Sequence, residues 1–130
     1  MQIANLMTAD PITVTPQDKL SKARSLMIAG DFRRVPVVDE GYLVGILTER
    51  DLHKYSGFLE STRVNAAMRT GLVTVTTSDT VEDAARLILH HKIGGLPVVA
   101  GRRLVGIVTA TDLLRAFLIV AADIGQIMNP

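Results

Sequence analysis

The sequence predicts an α/β fold of the α+β type, built from two β-α-β-β-α repeats packed about a pseudo-twofold axis. Three observations predict it. The chain repeats itself after 61 residues. Each copy places one helical apolar pattern among short β-branched runs. The composition is 48% apolar but only 4% aromatic, which demands a core of Val, Ile, Leu, Ala and Met.

Shifted by 61 residues, the chain aligns on itself without a gap from Met7 on Met68 to Leu52 on Leu113, with 17 identities. Two copies suit a face-to-face pair, because a solenoid needs three or more. The copies divide the chain into motif 1, residues 1–60, and motif 2, residues 61–130, with a linker around Gly57 to Arg63.

Each motif opens with a short strand, Ile12 to Thr15 or Val73 to Thr76. Asp18 or Asp79 then offers a helix cap, and Glu82 three residues after Asp79 resembles a capping box. Leu20, Ala23, Leu26 and Met27 follow at helical spacing, as do Val81, Ala84, Ala85, Leu87 and Ile88. Gly30 and Gly94-Gly95 are the expected breakers. Two strands come next, Val35 to Val38 and Leu43 to Leu47, then Leu96 to Val99 and Leu104 to Val108. Their near-continuous apolar character implies burial on both faces. A closing helix begins near Asp51 or Asp112.

Composition excludes several functions. With no cysteine, disulfides, thiol nucleophiles and Cys-based zinc sites are ruled out. A net charge of +1 with mixed signs argues against a basic field for nucleic acid, and no aromatic platform offsets that. Met1 to Asp10 lacks the pattern of a signal peptide. The longest apolar stretch, Leu113 to Ala122, is interrupted by Arg115 and falls short of the ~20 residues a membrane span needs. The expectation is a soluble, cytoplasmic protein.

No Ser/His/Asp grouping, P-loop or Gly-x-Gly-x-x-Gly occurs, so no catalytic residue is assigned. His90 and His91 are neighbours pointing about 100° apart on a helix, and with His53 they do not form a metal site. The informative pairs are Thr48 with Asp51 and Thr109 with Asp112, each at a strand-to-helix junction. A carboxylate there can accept hydrogen bonds from ribose hydroxyls, and a helix N-terminus favours phosphate. Thr-x-x-Asp is equally a helix cap, and both roles can coexist.

Arg34-Val35-Pro36-Val37-Val38 and Gly95-Leu96-Pro97-Val98-Val99, with Leu43 to Leu52 and its copy Leu104 to Leu113, resemble the CBS-domain family. The pair resembles a Bateman module. The resemblance covers nearly the whole chain. It implies a non-enzymatic regulatory module that binds AMP, ADP, ATP or S-adenosylmethionine in a cleft between the motifs and signals to a separate effector protein. It implies no required cofactor. Residue by residue, it assigns Thr48, Asp51, Ile46 and Arg34 to one site, with Met68, Val73 and Ile93 from the other half. It assigns Thr109, Asp112, Ile107 and Gly95 to the second, with Met7, Ile12 and Phe32.

Arg33-Arg34 is replaced by Gly94-Gly95 in the second motif, so the first site is expected to hold more phosphate charge and the second a less charged adenosyl group or nothing. Arg50, Arg69 and Thr70 read first as solvated residues and second as phosphate contacts. The alternative function is a protein-interaction or dimerisation module that binds no nucleotide. The last helix, apolar on more than one face, favours a homodimer. Ile127-Met128-Asn129-Pro130 echoes the segments around Met7 and Met68, as a closing segment or as the cut end of a longer protein.

Overall fold

The computed structural model describes residues 1–128; Asn129 and Pro130, half of that terminal echo, lie outside them. The fold is mixed α+β. In chain order the elements are β1 (Thr8–Ala9), α1 (Leu20–Gly30), β2 (Arg34–Asp39), β3 (Tyr42–Thr48), α2 (Glu49–His53), α3 (Val64–Ala67), α4 (Val81–His91), β4 (Gly95–Ala100), β5 (Arg103–Thr109) and α5 (Ala110–Met128). A 3-10 turn, Ile3–Asn5, precedes β1.

The chain forms two compact units. The first holds Asp10–Leu72 with Gly101–Leu104. Here β2 and β3 make an antiparallel hairpin running from Arg34 opposite Thr48 to Asp39 opposite Tyr42. Its two-residue loop, Glu40 at φ 49° and Gly41 at φ 85°, has the left-handed conformation that matches strand twist. Val14, Leu20, Ala23, Met27, Val35, Val37, Leu47, Leu52 and Val64 form its aliphatic core.

The second unit holds Met1–Ala9, Val73–Ala100 and, among the described residues, 105–128. Its core is Ile3, Val75, Ala84, Ile88, Leu96, Val98 and Val108. β4 pairs with β5, and β1 pairs antiparallel with β5, Thr8 opposite Ile107 and Ala9 opposite Gly106.

The lead-in segments are therefore exchanged relative to sequence order. Met1–Ala9, the start of motif 1, belong to the second unit, and residues 62–72, the start of motif 2, belong to the first. The same bonds do it at both places. Leu20 N donates to Thr62 O at 2.9 Å and Val64 N to Asp18 O at 2.8 Å; Val81 N donates to Met1 O and Ile3 N to Asp79 O, both at 3.0 Å.

Local expectations are revised in three ways. The opening strands shrink to single parallel bridges, Val14 to Val37 and Val75 to Val98. Asp18 and Asp79 each take a backbone N–H, of Thr15 and Thr76, both at 2.8 Å, and so close a turn where the ladder would continue. The helix caps therefore fall one residue later, at Lys19 and Thr80. Thr80 forms a capping box with Asp83, not Glu82, while Lys19 makes no side-chain cap bond. The helices end on left-handed Asp31 and Lys92, both at φ 54°, rather than on the glycines.

Candidate functional site

Each hairpin's second strand runs straight into a helix, and the junction residues are Thr48 and Thr109. At the first junction, Thr48 N and Oγ1 donate to Asp51 Oδ2 at 3.0 and 2.9 Å, and Asp51 N donates back to Thr48 Oγ1 at 3.3 Å. At the second, Thr109 N donates to Asp112 Oδ2 at 2.8 Å and Asp112 N to Thr109 Oγ1 at 3.2 Å. Both Thr-x-x-Asp pairs are thus reciprocal helix caps, which satisfy N–H groups that the first helical turn leaves unpaired.

The lead-in segments complete these corners. Arg69 and Ile46 exchange backbone bonds, Ile46 N to Arg69 O at 3.0 Å and Arg69 N to Ile46 O at 2.8 Å. Thr8 occupies the same position opposite Ile107. Both seats need glycine. A Cβ on Gly45 would lie 2.6 Å from Met68 Sδ and 3.0 Å from Arg69 O; on Gly106 it would lie 2.6 Å from Met7 Sδ and 3.0 Å from Thr8 O. Met68 and Met7 are half-buried there, beside the buried Ile46 and Ile107.

The corners differ in charge. Asp51 is 3% exposed, the single buried charged residue among those described. Arg69 grips its carboxylate, with Nε at 3.1 and 3.3 Å from the two oxygens and Nη2 at 3.1 Å from Oδ1. Among the described residues the cation paired with Asp112 is Arg115, at 3.5 Å and three residues along its own helix. That arginine is 72% exposed, so the contact is weak and screened.

Arg34 lies opposite Thr48 across the β2–β3 ladder, and Glu49 N donates to Arg33 O at 2.8 Å. Burial first, and the adjacent Arg33 charge second, hold the Arg34 guanidinium below its usual pKa. In the second unit Ala110 N donates to Gly94 O at 2.9 Å, so the backbone repeats the junction where Gly95 replaces the arginine.

Of the residues assigned from sequence, Thr48, Asp51, Ile46, Arg34 and Met68 share the first unit, and Thr109, Asp112, Ile107, Gly95 and Met7 share the second. Val73 and Ile93 pack on the core of the second unit. Phe32 packs on the core of the first, and Ile12 is 50% exposed. Arg69 is the residue that sequence reasoning undervalued. Its signal was present: it aligns with Thr8 beside a methionine matched in both copies, the one change of charge type at that step.

Among the described residues no group of His, Cys, Asp or Glu could hold a metal, and no helix is long and apolar enough to cross a membrane. α5 carries Leu114, Phe117, Leu118 and Ile119 at 60–65% exposure.

A family model described as CBS domain matches residues 3–57 and again 64–119. The CBS domain-containing protein YhcV of Bacillus subtilis is 37% identical over 114 residues, covering 85% of this chain and 81% of YhcV. The structure of CBSX2 in complex with AMP superposes with a TM-score of 0.84 at 29% identity, covering 92% of this chain and 98% of that one. The CBS domain pair of MJ0100, in complex with 5′-methylthioadenosine and S-adenosyl-L-methionine, gives 0.83 at 30% identity, covering 90% and 95%. Other curated relatives are longer, and this chain spans 46%, 31% and 23% of the next three.

Proposed function

This chain belongs to the CBS domain family, with two copies in tandem, and from that premise we propose that it is a regulatory module sensing an adenosyl ligand. The motifs are residues 1–60 and 61–130. The ligand is AMP, ADP, ATP or S-adenosylmethionine, held at the Thr48–Asp51 and Thr109–Asp112 corners. One observation carries the reading: a carboxylate and a threonine hydroxyl stand together at a strand end and helix N-terminus, twice, each beside a methionine seated on glycine. Carboxylate and hydroxyl suit a ribose diol, the helix end suits phosphate, and methionine adapts to a flat apolar ring. The ligands held by CBSX2 and MJ0100 support the same chemistry.

In this reading Ile46 and Met68 contact the base at the first site, and Ile107 and Met7 at the second. Arg34 attracts phosphate to the first site; Gly95 leaves the second less charged. The module works in the cytoplasm without catalysis and passes its state to a separate effector protein. The exposed apolar face of α5 is its contact with a second copy, since a patch of that kind on a small domain marks an association surface.

A thermal-shift panel of AMP, ADP, ATP, S-adenosylmethionine and NADH tests this. A ligand that binds only the folded chain, at 100 times its Kd, adds about 2.7 kcal/mol and raises the Tm by several degrees. At least one adenosyl ligand is expected to do so. A flat panel, with no adenosyl compound found by native mass spectrometry of the purified protein, would leave the chain as an interaction module alone.

A further inference from the structure

A carboxylate offers about four lone-pair positions. At Asp51 they are filled by Thr48 N, Thr48 Oγ1 and the Nε and Nη2 of Arg69. The threonine bonds are local to the cap, but the arginine bonds join residues 18 apart. At Asp112 the equivalent position is Thr8, whose side chain carries no charge, and the nearby cation is the exposed Arg115.

We propose that Arg69 is the specificity-determining residue of the first corner, making it selective for phosphate-bearing adenosyl ligands over neutral ones such as adenosine. This rests on the reading above that the corners hold adenosyl ligands. A ribose diol reaches Asp51 by displacing Arg69. The Arg69 side chain is already 48% exposed in the pair, and on release the residue stays anchored by its backbone bonds to Ile46. It then stands at the same corner with no carboxylate. A phosphate on the incoming ligand replaces the lost partner with charge-assisted bonds of similar strength. Adenosine brings no anion, so the exchange runs uphill. At the second corner nothing comparable is displaced, and a ligand without phosphate binds there unopposed. Asp51 and Arg69 thus turn one pseudo-symmetric pair of corners into two different receptors.

Single-corner chains test this by isothermal titration with AMP and adenosine. In the Asp112→Asn chain, AMP is expected to bind at least about tenfold more tightly than adenosine. Adding Arg69→Thr, which copies the other corner, should tighten adenosine binding and bring the preference to within about threefold. In the Asp51→Asn chain, Thr8→Arg should create an AMP preference of about tenfold where little existed. Thr8 is exposed, so this arm stands if Arg69→Thr does not fold. A preference unmoved by Arg69→Thr would assign phosphate selection to Arg34 and overturn the proposal, as would a Thr8→Arg chain that discriminates no better than its parent. If neither compound binds the intact chain, the adenosyl reading itself fails, which separates that failure from this one.

Discussion

Asp51 and Asp112 occupy matched places in two copies of one motif and have been put to different use. Both accept the backbone N–H of a threonine three residues earlier, so helix capping is common to them. Asp51 is buried under a two-point arginine grip, whereas Asp112, with a side chain 13% exposed, has a single long contact to a solvated arginine. The lead-in segments decide this. They seat identically, methionine against glycine and backbone against Ile46 or Ile107. The residue seated opposite Ile46 is Arg69, whose side chain reaches the corner carboxylate, and the residue seated opposite Ile107 is the uncharged Thr8. The two copies share the backbone device and differ in the charge around it, at Arg69 against Thr8 and at Arg34 against Gly95.

The largest expected effect breaks this comparison directly. Asp51→Ala removes a cap and leaves Arg69 without its carboxylate, which should cost about 2–3 kcal/mol. Asp112→Ala removes only a cap and should cost about 1 kcal/mol. Urea denaturation of the two variants measures the difference. Equal losses would mean that Arg69 adds nothing to the stability of the corner.

Much of this organisation was legible in the sequence. The 61-residue repeat, the four hairpin strands and the two Thr-x-x-Asp junctions are visible because identities without a gap and apolar runs bounded by turns are local signals. The exchange of lead-in segments was carried only by the resemblance, which sets Met68 with Asp51 and Met7 with Asp112; no local pattern reports that Met1 O will accept from Val81 N. The opening strands were overread for a related reason. β-branched residues at Ile12 to Thr15 favour extension, but Asp18 withdraws Thr15 N from any ladder. Arg69 was undervalued because a charged residue in a loop is usually solvated; only its seat opposite Ile46 brings it to Asp51.

A smaller effect sharpens the comparison by testing what the corners share. Gly45→Ala and Gly106→Ala each push a methyl group to 2.6 Å from a methionine sulfur and 3.0 Å from a carbonyl oxygen. The sulfur lies near the end of a flexible side chain and can move; the carbonyl belongs to the bridging backbone and yields less. Each substitution should cost about 1–2 kcal/mol, and the two costs should agree. Paired thermal melts would show whether the seats are equivalent, and a large disparity would place the asymmetry in the backbone and not in the charge.

The smallest effect concerns acid. Asp18 of the first motif is held below its usual carboxylate pKa of 3.8. The bond from Thr15 N contributes most; burial opposes it, and Lys22 at 3.3 Å assists. In the second motif Lys22 is matched by Asp83, itself lowered chiefly by the bond from Thr80 N. A group whose folded pKa lies below its unfolded value contributes stability that is complete above the unfolded pKa and lost as pH falls through the folded one. Both motifs should therefore hold their stability down to about pH 5 and lose it progressively below about pH 4. Asp18→Asn and Asp83→Asn should each flatten that acid limb, leaving the Tm near neutral pH lower by only a few degrees. The Asp83 effect should be the smaller, because its side chain is 48% exposed against 19% for Asp18 and its ion pair to Arg86 is long, at 3.8 Å. Melts of both variants across this range would rank them. An Asp83→Asn chain that loses its acid dependence before Asp18→Asn does would show that the capping box, and not the turn closed by Asp18, is where protons act on the fold.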